Sequence, residues 1–209
     1  MGNKMIMTGF QQVLEGLEYM HNRGVAHLGL TPGDIYFSRP DGDDIKIGDF
    51  GLARRIFDNK LAALNYGMPE FVAPETANGE GVGLPADMWS VGVITYLLLS
   101  GISPFRGDTD SDTLRNVQAG QINFDPDAFK NITADAKDFI AKLLLFSADT
   151  RLTVRQVQTK LLFQTMTKLL QTIENLFNFR LMVTGFRSPM AETSTNAHDQ
   201  RLPHRNRSS

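Results

Sequence analysis

Ile6, Phe10, Val13, Leu14, Leu17 and Met20 recur at steps of three and four residues, and Gly24 follows them. This period predicts an amphipathic helix closed by a glycine cap. The pattern then shortens. β-type runs follow at Val25–Leu30, Asp34–Ser38 and Ile45–Gly48. The last two flank Arg39-Pro40-Asp41-Gly42-Asp43-Asp44, whose Asp-Gly pair favours a tight hairpin. From Asp49 to Glu75, glycines and prolines at Gly51, Gly67, Pro69 and Pro74 break every regular period. An irregular segment is expected there.

Helical spacing dominates the rest. Asp87–Leu99 is apolar nearly all round, which predicts a central helix buried on every side. Asp110–Ala119 is more polar and reads as a surface helix. Thr133–Phe146 opens on a threonine cap and an early Asp135, with Phe139, Ile140, Leu143 and Leu144 on one face. A further helical pattern runs over about Val154–Phe179. The tail from Thr184 is rich in Ser, Thr, Asn, Arg and Pro and is expected to be disordered. No internal repeat is present.

Composition acts mainly by exclusion. The chain has 209 residues, 42% hydrophobic and 21% charged, enough for one globular domain with a real core. A net charge of -2 gives no reason to expect nucleic acid or an anionic membrane as partner. The absence of cysteine excludes disulfides and thiolate metal sites and fits a reducing compartment. The most apolar stretch, Trp89–Ile102, is shorter than the about 20 residues that span a bilayer. No secretory signal opens the sequence, so a cytoplasmic location is expected.

Candidate chemistry begins at His27-Leu28-Gly29-Leu30-Thr31-Pro32-Gly33-Asp34. It is followed in order by Asp49-Phe50-Gly51, Ala73-Pro74-Glu75, Asp87-Met88-Trp89-Ser90 and Arg151. This series resembles the eukaryotic protein kinases, whose catalytic loop reads H-R-D-L-K-P-E-N and whose later motifs fall on the same kinds of element. The resemblance covers Met5 to about Gln158. Gly67–Glu75 and Thr95–Phe105 resemble the myosin light-chain kinase, titin and twitchin group. The degraded loop combined with Met68 is similar to the first kinase domain of obscurin-like giant muscle proteins. The implied fold is mainly α (α+β), the C-terminal helical lobe of the protein-kinase fold with its N-terminal lobe missing. The implied organisation is a partial kinase domain over 1–158, a helical extension over 159–183 and a disordered tail over 184–209.

The resemblance also implies a site, and here the chain departs from it. Phosphoryl transfer is chiefly positioning and charge stabilisation. The family's Asp that orients the substrate hydroxyl is Gly29, and the Lys two residues on is Thr31. The Thr that bonds both in the Gly-Thr-Pro-Glu-Phe string is Met68. Three members of one constellation are replaced together, which implies a catalytically inactive pseudokinase. The Arg that precedes the catalytic Asp is Leu28, and Tyr66 is the only hydroxyl-bearing side chain between Leu52 and Val72. Arg54, Arg55 and Lys60 read either as a phosphate-pairing cluster or as a solvated basic face.

Other positions are retained. Asp49 matches a Mg²⁺ ligand and Asp34 replaces the Asn that supplies the second, so both are the candidate metal and cofactor-binding residues. The resemblance implies Mg²⁺ and ATP for the family, while this chain is expected to hold no cofactor by itself. The alternative for Asp49 is a hydrogen bond to local backbone. His27 and Phe50 match an internal stack, Glu75 and Arg151 a buried ion pair, and Asp87 an acceptor for catalytic-loop N–H groups. A glycine-rich loop and a Val-Ala-Ile-Lys strand are not found, so the ATP-covering lobe is expected to be contributed in cis. An apolar surface should be left open where it would sit.

The Leu- and Phe-rich helix near 161–179 reads either as an autoinhibitory or partner-binding element or as a helix packed on the nearest apolar surface. The expected function is a protein-interaction or scaffold module of a sarcomeric giant protein, with muscle proteins as partners. The alternatives are an active ATP-dependent serine/threonine kinase and a domain that binds Mg²⁺-nucleotide without turning it over.

Overall fold

The computed structural model describes residues 2–39, 44–56, 62–63 and 67–159, with side chains described over 9–39, 44–56 and 67–159. Helix α1 spans Gly2–His21 and buries Phe10, Val13, Leu14 and Leu17 of the stripe that the spacing predicts; Met20 is half-buried, and the side chain of Ile6 lies outside those described. It ends in a turn in which Gly24, at φ 67, adopts the left-handed conformation that a side chain disfavours.

Three small antiparallel pairs follow among the described residues. Strand β1 (Val25–Ala26) pairs with β4 (Arg54–Arg55), and β2 (Ile35–Phe37) pairs with β3 (Ile45–Ile47) with Tyr36 opposite Lys46. Strand β5 (Ala62–Ala63) pairs with β6 (Gly81–Val82). The β2–β3 hairpin occurs where the Asp-Gly turn predicts it, although residues 40–43 lie outside the described residues. The predicted strand over Val25–Leu30 stops at Ala26. Its continuation is taken by a loop whose N–H groups turn to a carboxylate instead of a neighbouring strand. The stretch from Asp49 to Glu75, expected to be irregular, contains β4, β5 and a 3₁₀ turn at Phe50–Leu52. Those strands have two residues each, too few to leave a period in the sequence.

Helices α2 (Pro74–Ala77) and α3 (Pro85–Ser100) come next. Every residue of α3 from Ala86 to Tyr96 is buried, and so is Leu98, so this helix is the axis of the lobe. Trp89 stacks on Phe105 with ring centroids 5.1 Å apart. Gly92 lets the next layer approach: a Cβ there would lie 2.7 Å from Leu144 Cδ2 and 2.9 Å from Leu143 Cβ. Helix α4 (Asp110–Ala119) is capped by Thr109, and α5 (Ala134–Leu143) by Thr133.

Helix α5 ends at Leu143, short of the predicted Phe146. The carbonyls of Leu145 and Phe146 accept hydrogen bonds from Arg151 at 3.1 and 3.3 Å, which draws that segment out of the helix. Helix α6 (Val154–Val157) carries a Thr153–Gln156 capping box. It stops at Val157, with a turn over 158–159 where the predicted helical pattern of about Val154–Phe179 runs on; the rest of that pattern lies outside the described residues, as do Lys60, Tyr66, the 161–179 element and the tail. Among the described residues no helix is long and apolar enough to cross a membrane.

Candidate functional site

The loop between β1 and β2 is anchored from below by one carboxylate. Asp87, on the first turn of α3, is fully buried. Its Oδ2 accepts from the backbone N–H of His27 at 2.9 Å and from Nε2 of His21 at 2.8 Å, while Oδ1 accepts from the N–H of Leu28 at 2.8 Å. A buried carboxylate without such donors would be strongly unfavourable, and charge-assisted bonds are the strong class. They also hold Leu28 in a left-handed conformation at φ 62, which costs a non-glycine residue about 1–2 kcal/mol. The buried His27 ring places Nε2 2.9 Å from the carbonyl oxygen of Gly48. A carbonyl only accepts, so Nε2 carries the proton. Nδ1 is left buried without a partner.

Above this anchor, Gly29 offers no side chain and the space beside it is filled. A Cβ built on Gly29 would lie 3.0 Å from Leu52 Cδ1 and 3.5 Å from Leu52 Cβ. Thr31 caps the 3₁₀ turn Pro32–Asp34. Its N–H and its Oγ1 donate to the same oxygen, Oδ2 of Asp34, at 2.7 and 2.8 Å, and Oγ1 in turn accepts from the N–H of Gly33 at 3.2 Å. Burial pushes the Asp34 carboxyl above its ordinary range. The bonds from Thr31 and the nearness of His27 oppose that shift, and the negative charge of Asp49 adds to it. Met68 is half-buried against the core and brings no hydroxyl to the loop.

On the open side stand Asp49, Phe50 and Tyr36. Asp49 is exposed and left-handed at φ 52, and its Oδ1 accepts from the N–H of Gly51 at 3.3 Å, the local backbone bond allowed for in the sequence. Phe50 packs on His27 with centroids 5.3 Å apart while 52% of its surface stays exposed. Tyr36, 48% exposed, lays its ring across Gly48, where a Cβ would come within 2.7 Å of Tyr36 Cε2. Burial, then the charges of Asp34 and Asp49, raises its phenol pKa. Sequence reasoning missed Tyr36. The available signal was strand alternation, because Ile35 points into the core and its neighbour must point out.

Two further residues tie the segment to the lobe. Arg151 meets Glu75 in a two-pronged pair, Nη1 to Oε1 at 2.8 Å and Nη2 to Oε2 at 3.0 Å, both side chains buried. Nη1 also donates to the carbonyl of Pro85 at 2.8 Å, and the guanidinium sits 5.2 Å from the Trp89 ring centroid. An open cleft of about 400 Å³ lies between segment 67–72 and helices α2 and α4, lined by Gly67, Pro69, Val72, Thr76, Asn78 and Leu114 among others.

The family model described as protein kinase domain matches residues 1–163. The chain belongs to the protein kinase domain family. It is 47% identical over 142 residues to myosin light chain kinase 3 of Danio rerio, a match covering 68% of this chain and 20% of that protein. It is 48% identical over 146 residues to the smooth-muscle myosin light chain kinase of Gallus gallus, covering 70% and 8%. Among solved structures, it superposes on a C. elegans twitchin fragment of autoregulated protein kinase and immunoglobulin domains. That match has a TM-score of 0.75 and 35% identity, over 97% of this chain and 44% of that one. The autoinhibited serine kinase domain of the giant muscle protein titin gives 0.74 and 28%, over 89% and 59%. The chain thus spans a fifth or less of the curated relatives' length, and the kinase fold expected for it is the fold it has.

Kinases as a family use Mg²⁺ and ATP. Mg²⁺ is commonly held by one or two carboxylates together with substrate phosphates. Asp34 and Asp49 match that number. Their availability is narrowed, because Oδ2 of Asp34 is engaged twice by Thr31, so Oδ1 is the oxygen left to face a cation, and the loop offers no cation to a phosphate where Thr31 stands. Among the described residues no group of three or more His, Cys, Asp or Glu side chains converges on a metal position.

Proposed function

We propose that this kinase-fold lobe is catalytically inactive and serves as a protein-interaction or scaffold module in an obscurin-like sarcomeric protein of the cytoplasm. The observation that carries the reading is the filled position at Gly29. No group there can orient or deprotonate a hydroxyl, and the Leu52 side chain takes up the adjoining space. The neighbouring replacements act in the same direction. Thr31 supplies a hydroxyl turned inward to Asp34 where transfer needs a positive charge facing out. Met68 supplies neither charge nor hydroxyl.

The frame supports a binding role because it is intact. Asp87 still holds the loop, and the Glu75–Arg151 pair still fixes the end of the segment. A rigid lobe with an emptied reaction site presents surfaces, among them the cleft beside α2 and α4 and the exposed aromatic face of Tyr36 and Phe50. Capture from muscle extract on the immobilised chain is expected to recover a defined sarcomeric protein without added ATP. Recovery of nothing above background would remove the support for a scaffold role.

A second reading keeps the activity. Asp49 retains an exposed carboxylate in a left-handed conformation, and the relatives at 47% and 48% identity are named as kinases. On that reading another residue replaces the missing base, and Asp49→Ala abolishes transfer in the native protein that contains this chain.

A further inference from the structure

Two of the replacements in the loop stand three residues apart, and they meet. Thr31 is where the kinase pattern has Lys and Asp34 where it has Asn, and a Lys at 31 has no hydroxyl to make the side-chain half of the contact seen here. The Thr31 hydroxyl and N–H both donate to Oδ2 of Asp34, at 2.8 and 2.7 Å. The hydroxyl oxygen accepts from Gly33 N–H, completing a reciprocal capping box around Pro32–Asp34. A Lys at 31 has no acceptor to cap the turn. The Asp34 backbone joins the same arrangement, its carbonyl accepting from the N–H of Gly48 at 2.8 Å just before Asp49.

We infer that Thr31 and Asp34 form an internal latch that closes this loop, and that Asp34 is a structural cap and not a cation ligand. The inference is independent of the scaffold role, since it concerns what orders the loop and not what the lobe binds. Asp34 is 93% buried, and its bonded oxygen faces its own turn. A cation ligand must instead direct lone pairs toward a shared cavity with waters or phosphates around it. Gly33 sits between the partners with a half-buried backbone, and nothing larger is needed to bring them together.

The test uses the full chain and reads thermal unfolding near neutral pH, with Mg²⁺ or Mn²⁺ chloride added alone and then with ATP. Thr31→Val keeps the shape of the side chain and removes the hydroxyl, and Tm is expected to fall by about 2–4 °C for a lobe of this size. Thr31→Ser keeps the hydroxyl and is expected to hold Tm within roughly 1 °C of the parent. Asp34→Ala is expected to lower Tm further than Thr31→Val, because the backbone bond is lost as well. Neither cation, with or without ATP, is expected to raise the Tm of the parent chain. A wild-type Tm for Thr31→Val would overturn the latch. So would a cation-dependent rise in Tm that Asp34→Ala removes, which would make Asp34 a ligand. The serine variant and the cation titration of the parent chain keep the inference open to refutation if Asp34→Ala does not fold.

Discussion

At the scale of single residues, Asp34 carries a pH signature of its position. Its carboxyl sits above its ordinary value of 3.8, chiefly through burial. An acid whose folded-state pKa is raised binds its proton more tightly when folded. Its contribution therefore favours the folded state below the unfolded value and is lost as pH rises through the folded one. Between 3.8 and that raised value, the chain is expected to lose stability relative to Asp34→Asn as pH increases. Denaturant unfolding of the two proteins over a pH series would show this as a widening gap in the variant's favour. A gap that stays flat would mean that burial does not govern this carboxyl.

Legibility at this scale divided by chemistry. The departure from the kinase pattern at Gly29, Thr31 and Met68 is legible because a motif has fixed residue types at fixed spacing. The Thr31–Asp34 contact is not, although a threonine three residues before an acid is a recognisable capping pattern. Reading the two positions against a kinase template treats them separately, Thr31 as a lost charge and Asp34 as a candidate metal ligand. Their coupling lies in three-dimensional geometry. Tyr36 escaped notice for the opposite reason: no motif includes it, and only its neighbours Gly48, Asp34 and Asp49 give it significance.

At the scale of elements, two contacts hold the helices in place, and each has a measurable cost. The Glu75–Arg151 pair joins α2 to the turn before α6, with both groups buried. Glu75→Ala is expected to cost about 3–5 kcal/mol in unfolding free energy, because Arg151 would remain as an uncompensated buried charge. Chemical denaturation is the appropriate measurement, and a loss below about 1 kcal/mol would place the pair among weakly contributing surface bridges. Gly92 is the second contact. A methyl there would press on Leu143 Cβ at 2.9 Å, an atom fixed to the α5 backbone and unable to swing aside. Gly92→Ala is expected to destabilise the lobe by about 1–3 kcal/mol through overpacking.

The helices themselves were legible because their periodicity is long. Helix α3 reads as buried all round from composition alone, and Asp110–Ala119 matches its helix at both ends. Boundaries failed where a side chain outside the element intervened. The early end of α5 is set by Arg151, a few residues further on, and the end of β1 by Asp87, which is distant in sequence.

At the scale of the whole molecule, the described residues combine the kinase fold with a loop that departs from the kinase pattern. The anchor at Asp87, the axis of α3 and the Glu75–Arg151 pair are all formed. Two exposed aromatic rings, Phe50 and Tyr36, lie beside the altered loop. Fold and family follow from the order of motifs along the chain, which a shared core enforces. Partners leave no comparable trace, because a binding surface does not require fixed residues at fixed spacing.

The central claim is that this lobe does not transfer phosphate, and it is tested by incubating the native protein that contains this chain with labelled ATP, Mg²⁺ and a myosin light-chain substrate. Incorporation is expected to equal that of the Asp49→Ala variant, at background. Incorporation well above background that Asp49→Ala abolishes would contradict the account and show that a residue other than the one lost at Gly29 performs its role.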